Sequence, residues 1–354
     1  MKKFYVKIIN AVIIVALIAL YAVLFVQALI IHKNYRALII LASLAGIAAS
    51  GILAVAFHEA GHVLFGKICG FKFIKTKIFC FEIRRTGDKL RIGFVKIGED
   101  PGDTEMAPVT TKNLKIKAIL YSLGGILMNA AQMTAQICVL VTVKETPFVY
   151  AFIGTPYLVP AYLMIVNLLP VFKGSDGDVA FTLISGGAAG RCALNYYGAL
   201  AMLYSGVTPA NLPSALLYEA GGEDCFSVYI SYLKYLNKFL TDENAAFKEL
   251  DSIILADDLP EELYTQVLCE KLFKAVIVKD DKFIKNNREE AIDRLALNDT
   301  PTSFRIQAAL SVYDGDFNRA RLLISSGLNA VNDYPVKGIA EFERQILTYL
   351  QKGI

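Results

Sequence analysis

Four long, charge-poor apolar runs, at residues 8–31, 37–57, 118–143 and 146–172, set the first limit on what this chain can become. Crossing a bilayer takes about 20 helical residues, and each run meets that length. The first follows Lys2, Lys3 and Lys7, as the core of a signal peptide would. It is too long for that role, and no small-x-small cleavage site follows it, so it reads as an anchor.

Charge divides the chain unevenly. Residues 1–206 carry 20 Lys and Arg against 10 Asp and Glu, whereas residues 207–354 carry 16 against 23. A basic, apolar part of net +10 is therefore joined to an acidic part of net −7, the pattern of a membrane module bearing a soluble domain. Loop charges give an orientation. Residues 67–117 hold twelve Lys and Arg, the turn between the first two runs only Lys33 and Arg36, and the turn after the third only Lys144. By the positive-inside rule the N-terminus and the 67–117 loop are cytoplasmic. The second and fourth runs then both end on the cytoplasmic side. Localisation is expected to be multi-pass in the plasma (inner) membrane, with lipid as a partner and a cytoplasmic C-terminal domain.

The six cysteines, at 69, 80, 138, 192, 225 and 269, form no CxxC pair. They read as buried apolar thiols in a reducing compartment rather than as a disulfide framework or zinc cluster. Within residues 71–97, apolar and polar side chains alternate around Thr86-Gly87-Asp88, which reads as two or more short strands with a turn. Such a hairpin serves either as a flap pairing with an extended peptide or as a plain surface cover.

The second run continues directly into His58-Glu59-Ala60-Gly61-His62. On a helix, positions i and i+4 share a face, so both imidazoles can reach one metal ion. Zinc lowers the pKa of its water towards neutrality, and the adjacent Glu59 is placed to take the proton. Ionisable residues at membrane depth are costly and point to function. His32 lies in the opposite turn and reads as interfacial. Catalytic zinc usually has three protein ligands. With no third His on that side, a carboxylate is expected from the end of the fourth run, Asn167-Leu168-Leu169-Pro170-Val171-Phe172-Lys173-Gly174-Ser175-Asp176-Gly177-Asp178. There Pro170 interrupts the helix, and Gly174 and Gly177 permit a tight backbone.

His-Glu-Ala-Gly-His in one span, Asn-x-x-Pro with a following Asp-Gly at the end of a later one, and Gly125-Ile126-Leu127-Met128-Asn129 between them resemble the site-2 protease family of intramembrane metalloproteases. The resemblance covers roughly residues 37–180. It implies a three-helix core, one Zn2+ per chain held by His58, His62 and Asp176, and Glu59 as the catalytic acid-base. It also implies that Asn167 and Asn129 line a substrate cleft shaped by Pro170 and Gly177. The interval from Pro170 to Asp176 is one residue longer than the commonest family form, which leaves Asp178 as a competitor. Asn129 reads equally as a helix contact beside Gly124 and Gly125.

Residues 181–206 form an interfacial helix or a short pair of membrane helices. Beyond them, helical periodicity and acidic turns at Thr241-Asp242-Glu243, Asp280-Asp281-Lys282-Phe283 and Asp314-Gly315-Asp316-Phe317 suit hairpin repeats of the tetratricopeptide kind. Such arrays bind a protein segment or serve as a structural tail.

The expected fold is mainly α: a polytopic membrane helical bundle with a small β-rich cytoplasmic loop and a C-terminal α-helical, repeat-like soluble domain. Its parts are an N-terminal anchor (1–36), a zinc protease core (37–180) containing the β-rich loop (71–97), the 181–206 segment, and the helical domain (207–354). The expected function is cleavage of a membrane-anchored protein or a signal or pheromone peptide by zinc-activated water. The alternative is a catalytically silent scaffold or immunity-type protein that holds a partner through its tail. No basic-aromatic surface points to nucleic acid.

Overall fold

The computed structural model describes residues 2–95, 101–143, 145–218, 225–255, 259–295 and 299–354. Lys96 and Ile97 of the expected strands, and Lys144 of the third turn, lie outside them. The chain divides into two compact units, one of Met1–Cys69 and Lys117–Phe181, the other of Gly70–Ile116 and Thr182–Ile354.

In the first unit the apolar runs become helices α1 (Lys2–Ile31), α2 (Arg36–Ile68) and α3 (Leu114–Thr142). With the fourth segment, Pro147–Leu168, these are long and apolar enough to cross a membrane. The metal motif sits inside α2 with no break, because nothing between Arg36 and Ile68 interrupts a run of helix-compatible residues. Gly70, at φ +79°, then turns the chain away in a left-handed conformation that only glycine adopts freely.

The fourth segment is not one regular helix. A short turn α4 (Pro147–Val149) leads into a π-helical stretch at Tyr150–Gly154 and a 3-10 turn at Thr155–Tyr157, before α5 (Leu158–Leu168). Pro156 is the cause, since it has no N–H to offer the carbonyl four residues back, that of Phe152. That carbonyl faces Gly46 of α2, where a Cβ would lie 2.3 Å from it. Irregular backbone within an apolar segment is tolerated when protein covers it, and Gly154, Thr155 and Pro156 are buried. After α5 an irregular stretch carrying Pro170 precedes α6 (Asp176–Ser185).

The second unit begins with an antiparallel sheet of β1 (Lys72–Ile78), β2 (Phe81–Thr86), β3 (Lys89–Phe94) and β4 (Gly102–Ala107), in the order β3-β2-β1-β4. The first three match the alternation in the sequence. The fourth, Gly-Asp-Thr-Glu-Met-Ala, lies beyond residue 97 and has no apolar alternation to announce it; pairing with β1 makes it a strand. Register places Lys75 opposite Arg84 and Lys77 opposite Glu82, so these four side chains share one face. Lys75 Nζ lies 2.8 Å from Glu262 and Lys77 Nζ 3.6 Å from Glu261, both at the start of α10 (Glu261–Val278). The opposite face carries Leu90, Ile92 and Phe94 at 64%, 75% and 68% exposure.

Gly186, at φ +70°, separates α6 from α7 (Gly187–Ser205), which buries Cys192, Ala193, Tyr197 and Leu203. The remaining helices are α8 (Cys225–Phe239), α9 (Glu243–Ser252), α10, α11 (Asp281–Leu295), α12 (Pro301–Tyr313), α13 (Phe317–Asp333) and α14 (Lys337–Lys352). The three acidic turns of the sequence are the hairpin bends of α8–α9, α10–α11 and α12–α13. Their acidic character has a direct cause: Asp242, Asp280 and Asp316 each accept a hydrogen bond, at 3.0 Å, from the backbone N–H three residues on. These are N-caps, which satisfy donors that a helix start leaves free. Between α10, α12 and α14, Arg305 is fully buried and reaches Glu270 at 2.5 Å and Glu343 at 2.7 Å.

Candidate metal centre

His58 and His62 project from successive turns of α2, and Asp176 opens α6. The structure brings these three together. Asp176 Oδ2 lies 2.9 Å from His58 Nε2 and 3.2 Å from His62 Nε2, and the two Nε2 atoms are 3.3 Å apart. A tetrahedral ion with bonds of about 2.0–2.1 Å separates its ligand atoms by about 3.3 Å. The triangle has that size, and its donor set of two imidazoles and a carboxylate is one that divalent metals take. The group can hold a metal ion. Burial opposes ionisation of the Asp176 carboxyl, but His62 and His58, when protonated beside it in the metal-free protein, reverse the balance and hold it down at about 2.

Each imidazole is oriented from behind. His62 Nδ1 lies 2.9 Å from the Tyr121 carbonyl of α3, which can only accept, so Nδ1 carries the proton and Nε2 is left as a donor to metal. His58 Nδ1 lies 3.1 Å from the side-chain amide of Asn129. The orientation that suits a metal on Nε2 has the amide oxygen accepting from Nδ1–H. Partners of this kind fix tautomer and ring angle in metal sites. Asn129 is fully buried, and its contact is with His58.

Close helix packing makes room for this. A Cβ on Gly61 would lie 2.3 Å from Gly124 O, and one on Gly124 would lie 2.6 Å from Gly61 O. A Cβ on Gly125 would lie 2.5 Å from His58 Cε1. The His58 ring therefore occupies the space that a side chain at 125 would fill. Gly125→Ala is expected to push that ring off its bearing and weaken metal binding by about 10–100-fold, the range for disturbed ligand orientation. A chelator-competition titration of the purified protein measures it.

The loop before α6 separates the two aspartates. Gly174 N–H donates to Asp178 Oδ2 at 3.0 Å, and Asp178 N–H donates to Ser175 Oγ at 3.3 Å. Ser175 caps the helix while Asp178 ties down the turn, a reciprocal arrangement close to a capping box. Asp178 is thereby turned to the loop, and Asp176 to the histidines.

Of the other expected residues, Glu59 is buried at 5% exposure on α2, one position from His58 and three from His62. Asn167 donates to the carbonyl of Leu163 in its own helix at 3.0 Å. Gly177 serves packing: a Cβ there would lie 2.1 Å from Leu168 O and 2.7 Å from Asn167 O, so only glycine lets α6 start against the end of α5. Pro170 is exposed in the irregular stretch between these helices. Sequence reasoning missed Tyr121, whose backbone carbonyl leaves no trace in residue type, and the polar residues Ser50, Gln132 and Gln136. Polar side chains inside apolar runs were the signal that would have found the latter.

Comparison with known protein families, curated proteins and solved structures gives no match to this chain.

Proposed function

We propose that this chain is an intramembrane zinc endopeptidase of the site-2 protease type, with its four long apolar helices in the plasma membrane and its N-terminus and helical tail in the cytoplasm. The observation that carries the reading is the convergence of His58 and His62, on a helix of membrane-spanning length, with Asp176 at the start of α6, and Glu59 buried on the same helix as the histidines. Gathering two imidazoles and two carboxylates is costly in such surroundings, and a bound metal ion relieves that cost. Three protein ligands leave one position open, which is the catalytic rather than the structural pattern.

Zn2+, when bound, supplies a Lewis acid that polarises a carbonyl and brings the pKa of water close to 7. His58, His62 and Asp176 would hold it, and Asn129 and the Tyr121 carbonyl keep both imidazoles facing inward. Glu59 takes a proton from the water as its oxygen adds to the peptide carbonyl carbon. It returns that proton to the amine nitrogen as the C–N bond breaks. The substrate class is a membrane-anchored or membrane-associated peptide, which the surrounding helices shield from bulk water. The tail would hold a protein partner through its helical hairpins.

Glu59→Gln is expected to keep one zinc per chain and to lower cleavage about 10²–10⁴-fold, the usual contribution of a positioned acid-base. Mass spectrometry of membrane peptides that accumulate in cells carrying the variant reads this out. An unchanged peptide profile, with metal retained, would sink the protease reading. Wild-type protein lacking zinc after metal-replete purification would favour the scaffold instead.

A further inference from the structure

A second polar feature lies deeper in the first unit than the metal centre. On α3, Asn129, Gln132 and Gln136 stand at i, i+3 and i+7, one stripe along the helix. All three are buried, at 0%, 9% and 8% exposure. They face Ser50 of α2, itself 2% exposed. Gln136 Nε2 donates to Ser50 Oγ at 3.1 Å, and Ser50 Oγ donates to the Pro156 carbonyl at 3.3 Å. Gln132 Nε2 lies 3.5 Å from the Ser50 carbonyl. Asn129 meets His58.

The nitrogen end of each glutamine amide is thus engaged. The oxygen ends of Gln132 and Gln136 are not: both are buried without a protein hydrogen-bond partner among the described residues, and whichever end of the Asn129 amide does not face His58 is left in the same way. Turning an amide end for end exchanges an orphan acceptor for an orphan donor and removes nothing. Orphan polar atoms are rare in water-soluble cores and costlier still in a bilayer, where bulk water cannot reach them. Three in one stripe, each a turn from the next, call for a small occupant that both donates and accepts. Neighbouring stripe positions are about 5–6 Å apart. A water molecule bridging two acceptors, each at about 2.8 Å, spans that distance.

We propose that Ser50, Asn129, Gln132 and Gln136 bind a short file of water molecules that begins at His58 and runs about 12 Å into the helix bundle, the rise of the eight residues between Ser50 and His58. The file completes the hydrogen bonding of the amide that orients His58. It also stores water on the side of the metal centre away from the cytoplasmic helix end. It rests on the membrane part of the proposed function and not on the catalytic part.

X-ray radiolytic labelling of the native full-length protein in lipid vesicles and oxygen-18 water tests it, since bound water converts to hydroxyl radical where it sits. Residues 128–136 are expected to take up several-fold more label than Cys138, a thiol on the exposed side of the same helix. In the Gln132→Leu/Gln136→Leu variant that excess should disappear while zinc content stays. A second measurement uses Ser50→Cys, whose thiol should react with methyl methanethiosulfonate several-fold faster than Cys138. Label at residues 128–136 no higher than at Cys138, or Ser50→Cys no faster than Cys138, shows a dry stripe and overturns the proposal. Neither readout depends on proteolysis.

Discussion

Asp176→Ala should leave the protein folded and nearly free of zinc, with affinity falling by more than the roughly 10–100-fold typical of residues that only orient ligands. The carboxylate supplies one corner of the triangle, at 2.9 Å and 3.2 Å from the two imidazoles. Without it two neutral nitrogens on one helix remain, too few to hold zinc at a catalytic site. The contrasting variant is Asp178→Ala. It removes a hydrogen bond to the Gly174 N–H and should cost about 1 kcal/mol of local stability, with zinc retained. Elemental analysis of both purified variants gives the comparison. Equal metal loss in the two would mean that the loop, and not Asp176, sets the site.

The second large effect is expected far from the metal. Arg305→Met leaves Glu270 and Glu343, at 1% and 2% exposure, as buried carboxylates without their cation. Removing one partner from a buried ionic network costs about 3–5 kcal/mol. For a unit of this size, at about 2–4 °C per kcal/mol, the unfolding midpoint should fall by roughly 6–20 °C. Cys269 offers a reporter. Burial, then the neighbouring Glu270 carboxylate, pushes its thiol up to about 12, so it reacts with a thiol-specific dye only once the unit opens. The triple variant Arg305→Met/Glu270→Leu/Glu343→Leu should recover most of the loss, because no charge is then left unpaired. A midpoint unchanged in Arg305→Met would show that the network contributes nothing.

Much of this architecture is visible in single residues and their spacing. The apolar runs are helices because their length and lack of charge leave few alternatives, and His58 and His62 meet because four residues make about one helical turn. The acidic turns of the tail are legible once read as caps: Asp242, Asp280 and Asp316 each stand at the start of a helix and accept from the third N–H. The same logic would have separated Asp176 from Asp178, because Ser175-x-x-Asp178 is a helix-start pattern. Other features depend on partners remote in sequence. Gly61 and Gly124 are unremarkable until their helices cross. Arg305 reads as an ordinary helical arginine until α10 and α14 bring carboxylates from 35 and 38 residues away. Strand β4 has no pattern of its own and exists through β1. Pro156 was visible as a helix breaker, but the irregular stretch around it is tolerated only because Gly46 lets α2 approach.

The interleaving of the two units has a consequence for biosynthesis. Residues 70–116 are made between the two pieces of the first unit, yet their ionic partners, Glu261 and Glu262, emerge only much later. During synthesis the sheet therefore waits without Glu261 and Glu262, with Lys75 held only by Asp103 and Glu105 of its own sheet. Contacts so distant in sequence form slowly. The metal centre needs nothing beyond residue 181, so it can close first. Nascent chains arrested before α10 should then carry a formed metal site beside a sheet whose Lys75 and Lys77 still lack Glu262 and Glu261, the contacts that completing the tail adds.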